Sequence, residues 1–131
     1  MNEAIYFKTS IFDPSKEDEN PINPIYGSSL INWIRDKLSG AYEIEQAMPE
    51  DWGWYSHIKF GDRIYLIGSM AYFEDGDDPS QEIEWVFQVD KFRTFKEKLF
   101  GREKMTVNDD CFQFFKTMFE REPEIYSVEI G

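Results

Sequence analysis

Hydrophobic positions fall into short runs whose spacing switches between the two periods of regular secondary structure. From 82 to 90 the alternation is clean, with Ile83, Trp85, Phe87 and Val89 on one face and Glu84, Val86 and Gln88 on the other. That is the pattern of a half-buried antiparallel strand. Two further strand-like runs, 52–60 and 63–72, are separated by Gly61-Asp62. A glycine in the first position suits a type II′ turn, so the pair is predicted to form a hairpin in which His57 faces Leu66 and Tyr55 faces Gly68. Shorter strands are expected at 4–12, 42–45 and 125–130.

Helical spacing appears three times. Leu30, Trp33, Ile34 and Leu38 share one face of a predicted helix over 28–38, with Ser28 or Ser29 placed to cap it and Gly40 to end it. Thr94 and Glu97 have the spacing of a capping box ahead of Phe95, Leu99 and Phe100, and Gly101 closes that short helix. A third helix begins near Asn108 or Asp109, carries Cys111, Phe114, Phe115, Met118 and Phe119 inward, and stops before Pro123. The segment PSKEDENPINPIYG between the first strand and first helix contains three prolines and reads as a loop. The order β-α-β-β-β-β-α-α-β predicts an α+β fold. It would be one domain over 1–131, with a single antiparallel sheet of five to six strands packed against about three helices.

Composition sharpens this picture in two ways. With 18% aromatic residues, the 131-residue chain has large contributors for one core despite a low mean hydropathy. With 26 acidic and 14 basic residues its formal charge is −12, which repels nucleic acid and anionic membranes and either steers a basic partner inward or serves solubility alone. Much of the acidity concentrates in two predicted loops, as Glu17, Asp18 and Glu19, and as Glu74, Asp75, Asp77 and Asp78, with Glu50 and Asp51 leading into a tryptophan-rich strand. Cys111 is the only cysteine, so no intrachain disulfide forms. No apolar run reaches the roughly 20 residues that span a bilayer, and MNEAIYFKTS lacks the basic and apolar regions of a signal peptide. The expected compartment is the cytoplasm.

Chemistry-bearing residues are densest in PEDWGWYSH, 49–57, where Glu50 and Asp51 sit beside Trp52, Trp54, Tyr55 and His57. A carboxylate against an aromatic wall can become a general acid while a wetter neighbour stays ionised. Adjacent side chains on an extended backbone point to opposite faces, however, which suits two flanking catalytic groups poorly. His57 is the only histidine, and the only cysteine lies on an apolar helix face, so neither a nucleophile pair nor a nitrogen-and-sulfur zinc site is expected. The acidic loop 74–78 lacks the ligand ladder of a calcium-binding EF-hand. No G-x-S-x-G, GxGxxG or GxxxxGK occurs, so no serine triad, nucleotide cofactor or other cofactor is predicted. One sheet face is mixed, with Tyr55, His57, Lys59, Glu84 and Gln88, and is expected either to lie under the proline-rich loop or to bind.

NPINPIYGSSLINWIRDKL (20–38), PEDWGWY (49–55), EWVFQVDKFRTFKEKLFG (84–101) and the helix start Asp109-Asp110-Cys111-Phe112 together resemble a family of small uncharacterised bacterial proteins. That resemblance implies no catalytic residue. As a class, small acidic α+β bacterial proteins are also similar to immunity proteins that neutralise toxin domains. The leading expectation is therefore an acidic intracellular binding protein and not an enzyme. Its partner would be a basic protein such as a toxin nuclease domain, met by Glu17, Asp18, Glu19, Glu50, Asp51, Glu74, Asp75, Asp77 and Asp78, with Trp52, Trp54 and Tyr55 as anchors. The competing expectation is a small-molecule site or enzyme pocket around Glu50, Asp51, Tyr55 and His57.

Overall fold

The computed structural model describes residues 3–131. Its elements are β1 (Glu3–Thr9), a single 3-10 turn (Pro14–Lys16), α1 (Ser28–Leu38), β2 (Met48–Glu50), β3 (Gly53–Phe60), β4 (Arg63–Ala71), β5 (Ile83–Lys91), α2 (Phe95–Leu99), α3 (Asp110–Arg121) and β6 (Ile125–Ile130). Six strands form one antiparallel sheet in the order β2-β3-β4-β5-β1-β6. The α+β fold with a single sheet and three helices is as the periodicity predicts. The meander β2 to β5 ends beside β1, and α2 and α3 carry the chain to β6 on the other side of β1.

The hairpin register is also as predicted, with His57 opposite Leu66 and Tyr55 opposite Gly68. Gly61 has a φ of +62°, and Asp62 is not among the residues with positive φ. This is the combination a type II′ turn needs.

The core lies between the sheet and α1 and α3. From β1, β4 and β5, Ile5, Phe7, Ile67, Trp85, Phe87 and Val89 meet Leu30, Ile31 and Ile34 of α1 and Cys111, Phe112, Phe115 and Phe119 of α3. Rings interlock where α3 crosses the sheet, Phe7 and Phe119 at 4.7 Å between centroids and Phe87 and Phe115 at 4.9 Å. Burial pushes the Cys111 thiol well above its ordinary pKa, the behaviour of a small core residue and not a nucleophile.

Several expected boundaries move. The strand expected at 42–45 contributes only one bridge, Ile44 to Ile58, and the edge strand forms later, at β2. β1 stops at Thr9, whose hydroxyl donates to the Glu124 carbonyl at 2.7 Å and accepts the Ile11 amide. Phe12 leaves the strand and packs its ring against Trp33 and Trp85. α3 buries Phe112 in preference to Phe114 and Met118, which are only half-buried.

Asp109 caps α3 by accepting the Cys111 amide at 2.8 Å. Its other oxygen takes the Lys91 ammonium at 2.8 Å and the Tyr65 hydroxyl at 3.0 Å. Burial alone would raise this carboxyl, but Lys91, the Cys111 amide and Tyr65 outweigh it and hold the group below its ordinary value. No helix among the described residues is long and apolar enough to cross a membrane.

Candidate functional site

The two motifs NPINP and PEDWGW are distant in sequence and locked together in space. Asn20 is buried, and its amide nitrogen donates to the carbonyls of Glu50 at 3.0 Å and Gly53 at 2.9 Å. Its amide oxygen accepts the backbone N–H groups of Ile22 and Asn23, so both ends of the side chain are satisfied. Asn23 adds a bond to the Asp51 carbonyl at 2.8 Å. The proline-rich loop is thus clamped to the β2–β3 turn by two asparagines.

This clamp gathers the charge. β1 ends, β3 begins, β4 ends and β5 begins at the same end of the sheet, so the loops holding Asp18 and Glu19, Glu50 and Asp51, and Glu74 to Asp78 emerge together. Tyr26 ties the first to the last, because its hydroxyl donates to Asp75. That bond, with burial and the neighbouring charges of Glu17 and Glu19, raises the tyrosine pKa.

The predicted binding residues do not all remain available. Glu17 is a structural cap: its carboxylate accepts the backbone N–H groups of Gly27 at 2.7 Å, Ser28 at 3.0 Å and Ser29 at 3.0 Å, and the Ser29 hydroxyl. Neither Ser28 nor Ser29 caps α1 from within, since both lie inside its first turn and the N-cap is Gly27, which has no side chain to offer. Asp77 and Asp78 are exposed but fold their own loop, accepting the Glu74 amide and the Ser80 amide and hydroxyl respectively. The Ser80 bonds lower the Asp78 pKa. Asp18, Glu19 and Asp51 are exposed, and their carboxylates make no hydrogen bond or ion pair among the described residues.

The tryptophans separate. Trp54 is 6% exposed, with its indole N–H donating to the Ile25 carbonyl at 3.1 Å, so it anchors the proline-rich loop and cannot anchor a partner. Trp52, in the turn, lies on the opposite, mixed face. Its Cη2 and Cζ3 atoms stand 2.5 and 2.7 Å from where a β-carbon on Gly68 would be. The indole therefore occupies the space that glycine leaves open, stays half-buried, and borders Tyr55 and Gln88, which flank Gly68 in register. Tyr72 is 53% exposed and follows β4 at the same end. The hydrogen bonds of the proline-rich loop run to the β2–β3 turn, Trp54, Ala71, Asp75 and the start of α1; among the described residues none reaches Tyr55, His57, Lys59 or Glu84.

The group expected around Glu50, Asp51, Tyr55 and His57 divides: the Tyr55 and His57 rings meet with centroids 5.7 Å apart, while the two carboxylates belong to the β2–β3 turn. Glu50 accepts the Asp51 amide within the turn, whereas His57 lies farther along β3 and its Nδ1 meets Glu45 at 3.0 Å. His57, Glu45, Glu43, Lys59, Ile64 and Phe92 instead help line an open groove of about 680 Å³, to which neither Glu50 nor Asp51 contributes. Among the described residues no cluster of histidine, cysteine and carboxylates is arranged to hold a metal ion.

Sequence reasoning passed over Asn20, Asn23 and Tyr26, which organise the acidic end; the only signal was their place in NPINPIY. It also passed over a charge reversal. Six of the 14 basic residues but only two acidic ones fall between 91 and 104, a local charge of +4 in a chain of −12. That segment follows β5 at the end of the sheet opposite the acidic loops.

No family model matches the chain, and comparison with curated proteins and with solved structures finds no match to either.

Proposed function

We propose that this chain is a binding protein whose acidic end docks a basic protein domain, in the manner of an immunity or inhibitor protein that neutralises a toxin. The observation that carries the reading is the convergence of acidic loops from three separate segments, held by Asn20, Asn23 and Tyr26, beside half-buried Trp52 and exposed Tyr72. Unpaired carboxylates raise the encounter rate with a cationic surface, and aromatic side chains supply short-range affinity. Asp18, Glu19, Asp51 and the 74–78 loop take the steering role, and Trp52 the anchoring one, with Tyr55 beside it. The test is stopped-flow association with a basic protein encoded next to this chain, at a series of salt concentrations. Tight binding with a salt-sensitive on-rate supports the reading, and absence of binding to any adjacent gene product removes it.

A second reading, a small-ligand site, is favoured by the groove where His57 and Glu45 meet, whose volume falls in the usual range for ligand pockets. Thermal stabilisation by a member of a metabolite panel, abolished by His57→Ala, would support it; no shift across the panel would count against it.

A further inference from the structure

α2 and the residues flanking it form a protruding tip that is both apolar and basic. Phe95 is 80% exposed, Leu99 65% and Phe100 61%, an unusual display for side chains of this size on a helix of five residues. The helix is not loosely attached. Its capping box is complete, and Arg63 reaches from β4 to grip Glu97 with two bonds of 2.9 Å. Around the apolar side chains stand Lys96, Lys98, Arg102 and Lys104, all exposed, with the Arg102 guanidinium 5.7 Å from the centre of the Phe100 ring. A firmly held, exposed apolar patch of this kind marks an interaction surface.

The ring of cations decides what can cover it. Two tips meeting face to face would bring like charges together, so a symmetric tip-to-tip pair is disfavoured. The complementary surface is present on the same chain: the acidic end offers Asp18, Glu19 and the 74–78 loop, together with Ile22, 56% exposed, and Tyr72, 53% exposed. Because the two surfaces sit at opposite ends of the sheet, they cannot meet within one molecule.

We propose that the α2 tip docks onto the acidic end of a second copy, head to tail. A contact of this heterologous type leaves a free tip and a free acidic end on every pair, so association continues into chains or closed rings beyond the dimer. The proposal uses the geometry of the acidic end and not the identity of any toxin. If both readings hold, a basic partner and a second copy compete for one surface.

Sedimentation equilibrium of the full chain tests it. At low salt the average mass should rise with concentration above the 15.6 kDa monomer and past the dimer. It should return to the monomer at about 1 M salt, where the screening length falls to about 3 Å. Phe95→Ser/Leu99→Ser and Asp18→Lys/Glu19→Lys alter only exposed side chains. Each double variant alone should be monomeric, while an equimolar mixture should form a pair that stops at the dimer. A monomeric wild type, or variants that fail to pair when mixed, overturns the proposal. Binding of the wild type to phosphatidylglycerol vesicles through the tip, without self-association, would overturn it in favour of a membrane. The tip variant keeps its acidic end, so its binding to a basic partner judges the proposed function separately.

Discussion

Glu17 is the residue where a role in binding and a role in folding give opposite results. Its carboxylate accepts three backbone N–H groups and one hydroxyl at the start of α1, a helix whose N-cap residue supplies no bond of its own. Loss of an N-cap costs about 0.5–2 kcal/mol, and loss of a negative charge at a helix N-terminus costs about 0.3–1 kcal/mol. The site is half-buried, so water replaces part of what is lost, and Glu17→Ala should destabilise the protein by about 2 kcal/mol. Glu17→Gln, which keeps an acceptor but not the charge, should fall between. Urea denaturation followed by tryptophan fluorescence measures this, with a lower midpoint at unchanged slope. Asp18→Ala, next door and exposed, should stay within about 0.5 kcal/mol of wild type. A Glu17→Ala protein as stable as Asp18→Ala, with partner binding weakened as strongly as by charge reversal at Asp18 and Glu19, would show that Glu17 is a binding residue and not a cap.

Asp109→Ala removes the α3 cap and leaves the Lys91 ammonium, whose side chain is 10% exposed, with only its longer 3.7 Å contact to Glu103; a loss of about 2–3 kcal/mol is expected in the same assay, with Asp109→Asn costing less because asparagine still caps. The Arg63 bonds, with the Thr94 amide, hold the Glu97 carboxyl down from its ordinary 4.5 to about 2. A depressed acid stabilises the fold above its unfolded value, so this contribution is complete above about pH 4.5 and is lost as pH falls toward 2; Arg63→Met should flatten a plot of stability against pH in that window. Gly68→Ala should push the Trp52 indole off the sheet, shift tryptophan emission to the red, and speed dissociation of the proposed basic partner about tenfold, with little change in stability.

How far the sequence discloses this molecule depends on the range of the interaction concerned. The β3–β4 register is legible because a Gly-Asp turn and a period of two are local signals, and one residue of slip would reverse every side chain. The α2 capping box is legible for the same reason. Trp52 and Trp54 were not separable as anchors, since alternation puts them on one face only if the strand includes both, and the turn carries Trp52 across. Glu17 reads from the sequence as a partner-facing acid because the groups it caps begin ten residues later, at Gly27. The basic tip was hidden by the opposite error: a net charge of −12 averages over both ends of the sheet. NPINP stood out as a pattern, but its use, an asparagine clamp on the β2–β3 turn, depends on a contact some thirty residues away.

The most direct test of the acidic end is the on-rate for a co-encoded basic protein, measured for wild type and for Asp18→Lys/Glu19→Lys/Asp51→Lys across salt concentrations. The wild-type on-rate should fall steeply with salt, and the on-rate of the variant should be at least about tenfold lower at low salt with its off-rate little changed. An on-rate indifferent to both salt and charge reversal would contradict it.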